Sequence, residues 1–484
     1  MLSRTIVTTE QPMLLFLGNK NEKFLDFHFV LLSLNRNFAK ETPNLMLCMM
    51  KKTTNICLML ALTLMSWLNA GAQECNGCKK GYELPKGKAI YIPEELQSND
   101  FTNPDSKWSY YRMASTENVV VFWEKGFGPD LSKAPDLEGH KMTVDLQNLL
   151  ARLEFFYQTY RDEFKFTLPG SKADSLRMMV MLNYSLEGTA YGGCYDNVIG
   201  ALWIAPNRVQ DKKLNCIAHE IGHSFQIQIA CDGRGHGLGG GIYEMCSQWM
   251  LWQVNPEWTT DENYHWEAFR KLFHLRFLAG ENIYHSPYVL EYWSTKHGVR
   301  IMADLFREGR GREDIAQAYM RMFNLSLPQM ADEMYDCYSR LITFDFPRVK
   351  ASHKKYACQL ETPVTTEGKV VKPQTDFVPQ TYGFNVVPLP LKASTVQFKG
   401  LGDKVKDAYR WGVVLVDNDM NATYLPMQNS FSGKVSYKPA ATTQKAYLVV
   451  VGCPADQYGY QAGNPYERRE KTPERTYPYQ ITVK

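Results

Sequence analysis

The feature that most restricts the fold of this chain is a helix-forming segment in which two histidines stand four residues apart. Residues 214–226 have the sequence LNCIAHEIGHSFQ, with the pattern His-Glu-Xaa-Xaa-His at His219, Glu220 and His223. On an α-helix, side chains four residues apart lie on one face, so both imidazoles can bind a single Zn²⁺ ion. The apolar residues around them, at 214, 217, 218, 221 and 225, predict a helix that is buried against a sheet.

Glu220 follows the first histidine directly, too far round the helix to complete the same coordination sphere. A carboxylate in that place is well positioned to take a proton from a water molecule that a metal activates, which is the role of a general base. The alternative interpretation is that His219 and His223 are core histidines satisfied by hydrogen bonds. A preceding strand, an export signal and an acidic residue on a following helix favour the metal site.

The third metal ligand is expected from the next helix, predicted over 242–254. Glu244 begins that helix and would complete a site of two histidines and one glutamate, with a fourth position open to water. His236 and Asp232 are rival ligands, but they lie in or beside a loop with six glycines between 233 and 241. The alternative role of Glu244 is to favour the helix N-terminus through the helix dipole.

The segment from His219 to Gln226, HEIGHSFQ, followed by Glu244, resembles the HExGHxxQ motif and distant glutamate of the enhancin and mucin-degrading gluzincin peptidases. The metzincin pattern is absent, because Gln226 and Ile229 replace its glycine and histidine. A wider resemblance, including the motifs FWEKG and YGFN, is to an uncharacterised family of secreted bacterial proteins with a zincin motif. These resemblances imply a gluzincin fold and peptidase-like chemistry, without a substrate.

The N-terminal region carries the features of an export signal. A pair of lysines precedes an apolar run over 56–68, and the small-residue site Ala-Gly-Ala ends at Ala72. This pattern predicts a signal peptide over 49–72, and the run is too short to span a bilayer comfortably. Residues 1–48 are expected to be an upstream extension without a structural role. We therefore expect a secreted or periplasmic protein with no stable membrane span.

Composition argues against nucleic-acid binding, but it does not determine how the cysteines pair. A net charge of +3 and the absence of a concentrated lysine and arginine cluster after the leader argue against nucleic-acid binding. Cys75 and Cys78 form a lone CxxC pair, which we interpret as a local disulfide or free thiols because a zinc ribbon needs a second pair. Export permits disulfides, but their pairing cannot be deduced from the sequence.

The predicted fold is an α+β zincin-like catalytic domain over 73–362, followed by an all-β, jelly-roll-like sandwich over 363–484. Strands and amphipathic helices alternate in the first part, whereas helical periodicity disappears after about residue 346. The segment 191–193 is expected to be a turn and 363–379 a linker or irregular strand. The remaining expected elements are strands at 119–123, 176–182 and 198–204, and helices at 145–160, 214–229, 242–254, 266–277, 288–297, 299–307, 315–322 and 327–340.

The expected function is zinc-dependent hydrolysis of a protein or glycoprotein. The alternative is a non-catalytic, exported glycan- or protein-binding surface protein that retains the zincin scaffold. The intact Glu220 favours the enzyme, because a structural metal site needs the histidines but not that carboxylate. The strand at 198–204 could offer an edge to an extended peptide, although an ordinary core strand explains it equally well.

Other residues are candidates for binding or catalysis on residue type alone. A hydrolase needs a hydrogen-bond donor for the oxyanion, and the chain offers four, of which none is preferred: Tyr284, His285, Tyr288 and Tyr292. Aromatic residues near the C-terminus could stack on a glycan, although aromatics of a sandwich are more often core: Tyr409, Trp411, Tyr424, Tyr447, Tyr458 and Tyr460.

Overall fold

The structure, a computed structural model, describes residues 81–235, 237–311, 313–460 and 474–484. The predicted extension, the signal peptide and the Cys75–Cys78 pair lie outside these residues. Within the described part of the chain, no helix is both long and apolar enough to cross a bilayer.

A five-stranded mixed sheet supports the histidine-bearing helix. Its three central strands, β2 (Val119–Trp123), β3 (Met178–Leu182) and β5 (Ile199–Ile204), run parallel. The antiparallel strands β1 (Met113–Ser115) and β4 (Ala190–Tyr195) form the two edges, which gives the order β1-β2-β3-β5-β4. Every residue of β2 and β3 is buried, which explains their continuous apolar sequences.

One prediction for this sheet is wrong, because residues 191–193 are not a turn but the middle of strand β4. The strand predicted at 198–204 is present, and of its two interpretations the core strand is correct, because β5 pairs with β3 on one side and β4 on the other. Two consecutive glycines weaken a strand and are typical of turns, so the local pattern was misleading. At Gly192, β4 approaches a helix so closely that no side chain would fit.

Helices cover one face of this sheet. Helix α1 (Leu146–Gln158) connects β2 to β3, and helix α2 (Asn215–Cys231) follows β5. Ser224 of α2 donates its hydroxyl to the carbonyl oxygen of Ala201 at 2.9 Å, and the hydroxyl of Tyr160 donates to the carbonyl oxygen of Ala218 at 2.9 Å. These bonds fix the height and rotation of α2 over the sheet.

In the part of the chain that the structure describes, seven further helices follow α2, and three of them have the bounds that apolar periodicity predicts. Residues 242–254, 288–297 and 315–322 are confirmed as helices without change, the short helix at 258–261 was not predicted, and the ends of the other helices differ from prediction by a few residues. Helices often end where capping side chains allow, which apolar periodicity does not record. The seven are α3 (Ile242–Val254), α4 (Trp258–Asp261), α5 (Tyr264–Leu272), α6 (Tyr288–His297), α7 (Ile301–Glu308), α8 (Ile315–Met322) and α9 (Leu327–Leu341).

Two antiparallel sheets follow the helices. Strands β6 (Val364–Glu367) and β7 (Val370–Pro373) form a hairpin in the segment that was predicted as a linker or irregular strand. The four-stranded sheet has the order β11 (Ala422–Tyr424), β10 (Asp407–Asp417), β13 (Thr443–Pro454), β8 (Phe384–Pro388). The five-stranded sheet has the order β12 (Ser432–Tyr437), β9 (Ser394–Gly400), β14 (Tyr479–Val483), β7 (Val370–Pro373), β6 (Val364–Glu367).

The two antiparallel sheets share an apolar core, and the four-stranded sheet also packs on the helices. Phe398 of β9 stacks on Trp411 of β10 with a distance of 4.8 Å between ring centroids. On the opposite face, Phe384 of β8 stacks on Tyr338 of α9 at 4.1 Å. Tyr409, Trp411 and Tyr447 are at most 1% exposed, so these three aromatic residues are core rather than a platform for glycans.

Candidate metal centre

Helices α2 and α3 lie against each other at the position of the histidine motif. The amide of Asn215, the first residue of α2, donates to Oδ2 of Asp211 at 3.3 Å, which caps the helix start. Gly222 lies between the two histidines, and a Cβ atom added there would be 3.0 Å from Oγ of Ser247 in α3. The missing side chain at Gly222 therefore lets the helices approach closely enough for their polar residues to meet.

His219 and His223 of α2 form a cluster with Glu244 of α3. The two Nε2 atoms are 3.0 Å apart, and each lies 3.1 Å from Oε2 of Glu244. The imidazoles are 11% and 12% exposed and the Glu244 side chain is 28% exposed. Among the described residues, this is the group of potential metal ligands whose atoms all lie within 4.8 Å of one another.

Gln248 determines the orientation of the first imidazole. Its amide nitrogen lies 3.1 Å from the carbonyl oxygen of Tyr284, which can only accept a hydrogen bond. The amide oxygen of Gln248 must then face Nδ1 of His219, 3.2 Å away, so Nδ1 carries the proton. The Nε2 atom of neutral His219 is left with a lone pair, which is the form that binds metals.

Gln226 does the same for the second imidazole. Its amide nitrogen donates to the carbonyl oxygen of Tyr243 at 3.0 Å and to Oγ of Ser247 at 3.0 Å. The amide oxygen of Gln226 therefore faces Nδ1 of His223 at 3.2 Å and accepts its proton. As for His219, the hydrogen bond at Nδ1 leaves Nε2 as the basic atom.

Three lone pairs consequently point at one another from His219, His223 and Glu244. Neutral imidazoles with the proton on Nδ1 have no donor left at Nε2, so a cation is needed to balance the three acceptors. Zinc accepts two imidazoles and a carboxylate, and ligand atoms of a tetrahedral zinc ion are roughly 3.4 Å apart. The observed separations of 3.0 to 3.1 Å fit this donor set.

Protons compete with a metal ion for the same atoms. When protons rather than a metal ion occupy the Nε2 atoms, His219 and His223 donate hydrogen bonds to Glu244. Burial raises the pKa of Glu244, but these hydrogen bonds outweigh burial and hold this pKa below its usual value. Burial lowers the pKa of His223, but the hydrogen bond and charge of Glu244 outweigh it and raise this pKa. The carboxylate is thus ionised, and metal binding must release any proton held by His223.

Glu220 lies beside the cluster and is held by the edge strand of the sheet. The backbone amide of Gly192 in β4 donates to Oε2 of Glu220 at 2.8 Å. A Cβ atom added at Gly192 would lie 1.8 Å from the carbonyl oxygen of Glu220 and 2.9 Å from Cβ of His223. Only a glycine lets the strand approach the helix at this distance.

Of the two rival ligands, the structure describes only Asp232, which is not part of the cluster. Asp232 stands nine residues after His223, about 13 Å along a helix axis. It accepts hydrogen bonds from the amide of Lys172 at 3.0 Å and from Nε2 of Gln228 at 2.9 Å. Asp232 therefore connects the C-terminal end of α2 to the segment at Lys172. His236 lies outside the described residues.

One of the four proposed oxyanion donors lies beside the cluster. The ring of Tyr284 stacks near that of His219, with centroids 6.0 Å apart, and its side chain is 40% exposed. His285 contacts His265, with their Nδ1 atoms 2.6 Å apart, and burial lowers its pKa to about 4. Tyr288 and Tyr292 are 1% and 8% exposed and pack in the core.

Gln248 and Gly192 were not identified from the sequence. Gln248 stands four residues after Glu244, so the two share a face of the helix, and this spacing was a usable signal. The contact of Gly192 with Glu220 has no local signal, because 28 residues separate them. It arises only when β4 is placed at the edge of the sheet beside α2.

One protein family matches the chain, over residues 83–484, and its model carries the description "Family of unknown function (DUF6055)". No curated protein matches the sequence.

Three solved structures with similarity to this chain come from Clostridium perfringens. The M60 catalytic domain of ZmpC, in complex with the sialyl T antigen, has 12% identity and a TM-score of 0.30, and the match covers 75% of this chain and 69% of that chain. The ZmpB metallopeptidase has 13% identity and a TM-score of 0.29, with coverages of 72% and 68%. A ZmpB structure with two CBM32 domains and the M60 domain has 13% identity and a TM-score of 0.28, with coverages of 72% and 36%.

Proposed function

Because the chain belongs to DUF6055, a family of unknown function, we propose its activity from the site itself: zinc-dependent hydrolysis of peptide bonds in proteins or glycoproteins. The observation that supports this proposal is the set of three acceptor atoms on His219, His223 and Glu244, with both histidine Nδ1 protons directed away from it. On this proposal the mixed sheet and helices form a zincin-like catalytic part, and the two antiparallel sheets form a sandwich behind it.

His219, His223 and Glu244 would hold the zinc ion, and Gln248 and Gln226 would keep the imidazoles in the binding tautomer. Zinc in such a site supplies Lewis-acid chemistry, because it lowers the pKa of a water molecule and polarises a carbonyl group. The three side chains leave one position open for the reacting groups.

Glu220 would be the general base. The hydrogen bond from the Gly192 amide holds one oxygen of its carboxylate, which fixes the direction of the other. That second oxygen would take the proton from the attacking water and then deliver it to the nitrogen of the leaving amine. A fixed carboxylate has less reorganisation to undergo in the transition state than a freely rotating one.

Tyr284 is the donor that we propose for the oxyanion. It lies beside His219 and is partly exposed, and on this proposal its hydroxyl faces the substrate. Such a donor stabilises negative charge on the carbonyl oxygen as the water attacks.

The edge strand β4 is the proposed place for the substrate backbone. An extended peptide can add to an exposed sheet edge through main-chain hydrogen bonds, which positions it without selecting a side chain. Tyr191 of β4 is 59% exposed and would contact a peptide lying there. The strand at 198–204, which the sequence also allowed as a binding edge for a peptide, is paired on both sides and has no free edge.

The predicted export and the predicted glycan contacts stay proposals. Sequencing of the exported product tests the signal peptide, for which we expect an N-terminus at or near Gln73. Tyr424, Tyr458 and Tyr460 are the partly exposed aromatic residues that remain candidates for glycan binding. The alternative, a non-catalytic surface protein, would use the histidines in a structural metal site. Such a protein would not need the carboxylate of Glu220 to be held in a fixed position.

Cleavage profiling tests the activity without a prior choice of substrate. The purified mature protein is incubated with a mixture of proteins and glycoproteins, alone, with a zinc chelator, and with zinc restored after chelation. The proposal expects new peptide termini in the first and third samples only. Termini that persist in chelator, or none in any sample while zinc binds at a 1:1 ratio, would favour the alternative.

A further inference from the structure

Two cysteines meet where strand β4 passes along helix α2. Cys194 belongs to β4, and Cys231 is the last residue of α2. Both are free thiols, and each shifts the pKa of the other, as neighbouring thiols do. Cys231 is 5% exposed and Cys194 is partly exposed, so a small oxidant can reach the pair from the side of Cys194.

The backbone on both sides of the pair is held in place. The amide of Gly200, which is opposite Cys194 in the β4–β5 register, donates to Oε1 of Gln228 at 2.8 Å. Nε2 of Gln228 donates to the carbonyl oxygen of Val198 at 3.3 Å. Gln228 stands three residues before Cys231, so both lie on the helix face that meets the strands. Cys194 shares a side of the sheet with its partner Gly200, where a Cβ atom would lie 3.1 Å from Cβ of Ser224 in α2, so both cysteines lie where β4 meets α2.

We infer that Cys194 and Cys231 form a disulfide bond that fastens β4 to the end of α2. This covalent site is additional to the proposed hydrolysis, and it depends on the predicted export only for an oxidising compartment. Gly192 and Cys194 are two residues apart in a strand, so both point toward α2. Because the Gly192 amide holds Glu220, the bond restrains the same strand segment that orients the proposed general base.

The bond forms by thiol–disulfide exchange. The Cys194 thiolate attacks the disulfide of an oxidant, either oxidised glutathione or a thiol–disulfide oxidoreductase, which forms a mixed disulfide and releases one thiolate. Cys231 loses its proton and attacks the Cys194 sulfur, and the second thiolate of the oxidant leaves. The two cysteines thus lose two protons and two electrons in total, and the oxidant is reduced to two thiols.

Cys194 is suited to the first attack. The hydrogen bond from Cys231 lowers the pKa of the Cys194 thiol, and the same contact raises the pKa of Cys231. Cys194 is therefore the more readily ionised thiol of the two, and it is also the more exposed.

A peptide map tests the bond. The mature protein is equilibrated with an excess of oxidised glutathione, denatured, alkylated and digested without reductant. We expect one linked pair of peptides containing residues 194 and 231, and in the C194S variant no link from Cys231 to another peptide, its thiol being alkylated or bound to glutathione. Partly exposed Cys358 should likewise be alkylated or bound to glutathione in both proteins, as an internal control. Alkylation of both Cys194 and Cys231, or a bond from either one to another cysteine, would overturn the inference.

Hydrogen exchange tests the effect on the strand. We expect the backbone amides of residues 190–195 to exchange several-fold more slowly in the oxidised protein than after reduction, with no redox effect in C194S. Equal exchange in both forms of the wild-type protein would contradict the fastening of β4. Neither measurement reads cleavage, so both remain decisive if the proposed peptidase activity fails.

Discussion

The backbone amide of Gly192 donates a hydrogen bond of 2.8 Å to the carboxylate of Glu220, although the two residues belong to different layers of the fold. The bond joins the edge strand of the mixed sheet to the helix that carries both histidines. It makes the position of the proposed base depend on strand β4. The proposed substrate backbone would lie along the same strand.

Gly192→Ala should therefore lower activity strongly. The added methyl group would lie 1.8 Å from the carbonyl oxygen of Glu220, so the strand or the helix must move. Overpacking of this kind typically costs about 1 to 3 kcal/mol of stability. Turnover and the unfolding midpoint are measured together, with Gly459→Ala as the control because no atom lies within 4 Å of a Cβ there. A Gly192→Ala protein with wild-type turnover would show that the strand need not approach the helix.

Gln248→Leu should weaken zinc binding by about 10- to 100-fold, because His219 loses the acceptor that fixes its tautomer. Gln248→Glu keeps an acceptor at that place and should restore most of the affinity. Gln253→Leu is the matched control, since Gln253 lies in the same helix but donates to Glu291. Titration with a competing chelator measures all three, and equal affinities for Gln248→Leu and Gln253→Leu would remove the positioning role.

Glu244→Ala should cost more zinc affinity than the roughly 100-fold upper end expected for a residue that only supports a ligand. Asp232→Ala and His236→Ala should retain the metal. Asp232 binds the Lys172 amide and Gln228, so its loss should affect stability alone. If His236→Ala loses zinc while Glu244→Ala retains it, the loop after α2 belongs to the site and Glu244 does not.

Tyr284→Phe should lower kcat by about 10²- to 10³-fold with little change in KM, because the hydroxyl would act mainly in the transition state. Tyr111→Phe is the control, since Tyr111 is 39% exposed and Tyr284 40%. Steady-state kinetics on a peptide substrate identified by cleavage profiling provide both constants. A change confined to KM would make Tyr284 a substrate-binding residue rather than the oxyanion donor.

Local patterns predict much of this fold. The bounds of β2, α3, α6 and α8 are the same as those predicted from the pattern of apolar residues. Each of these elements buries either a continuous run of residues or one side of a helix. The pair His219 and His223 and the start of α3 at Ile242 were likewise visible, since four-residue spacing and a glycine-rich loop are local features. These elements were predicted because nothing distant in the sequence alters them.

The features that prediction missed depend on contacts between distant segments. Gly192 and Gly193 are typical of a turn, but they form part of a strand, and at Gly192 an adjacent helix leaves no room for a side chain. Gln248 is an unremarkable helix residue until α2 is packed beside α3 and its amide meets His219. The disulfide bond that we propose between Cys194 and Cys231 similarly depends on β4 lying along α2.

The most direct test of the account is a comparison of zinc content and turnover between the wild-type protein and Glu220→Gln. The amide occupies the space of the carboxylate and leaves His219, His223 and Glu244 in place, but it cannot accept a proton from water. We predict an unchanged zinc content of one ion per chain and a loss of about 10²- to 10⁴-fold in turnover. Wild-type turnover in Glu220→Gln, with zinc bound, would contradict the proposed mechanism.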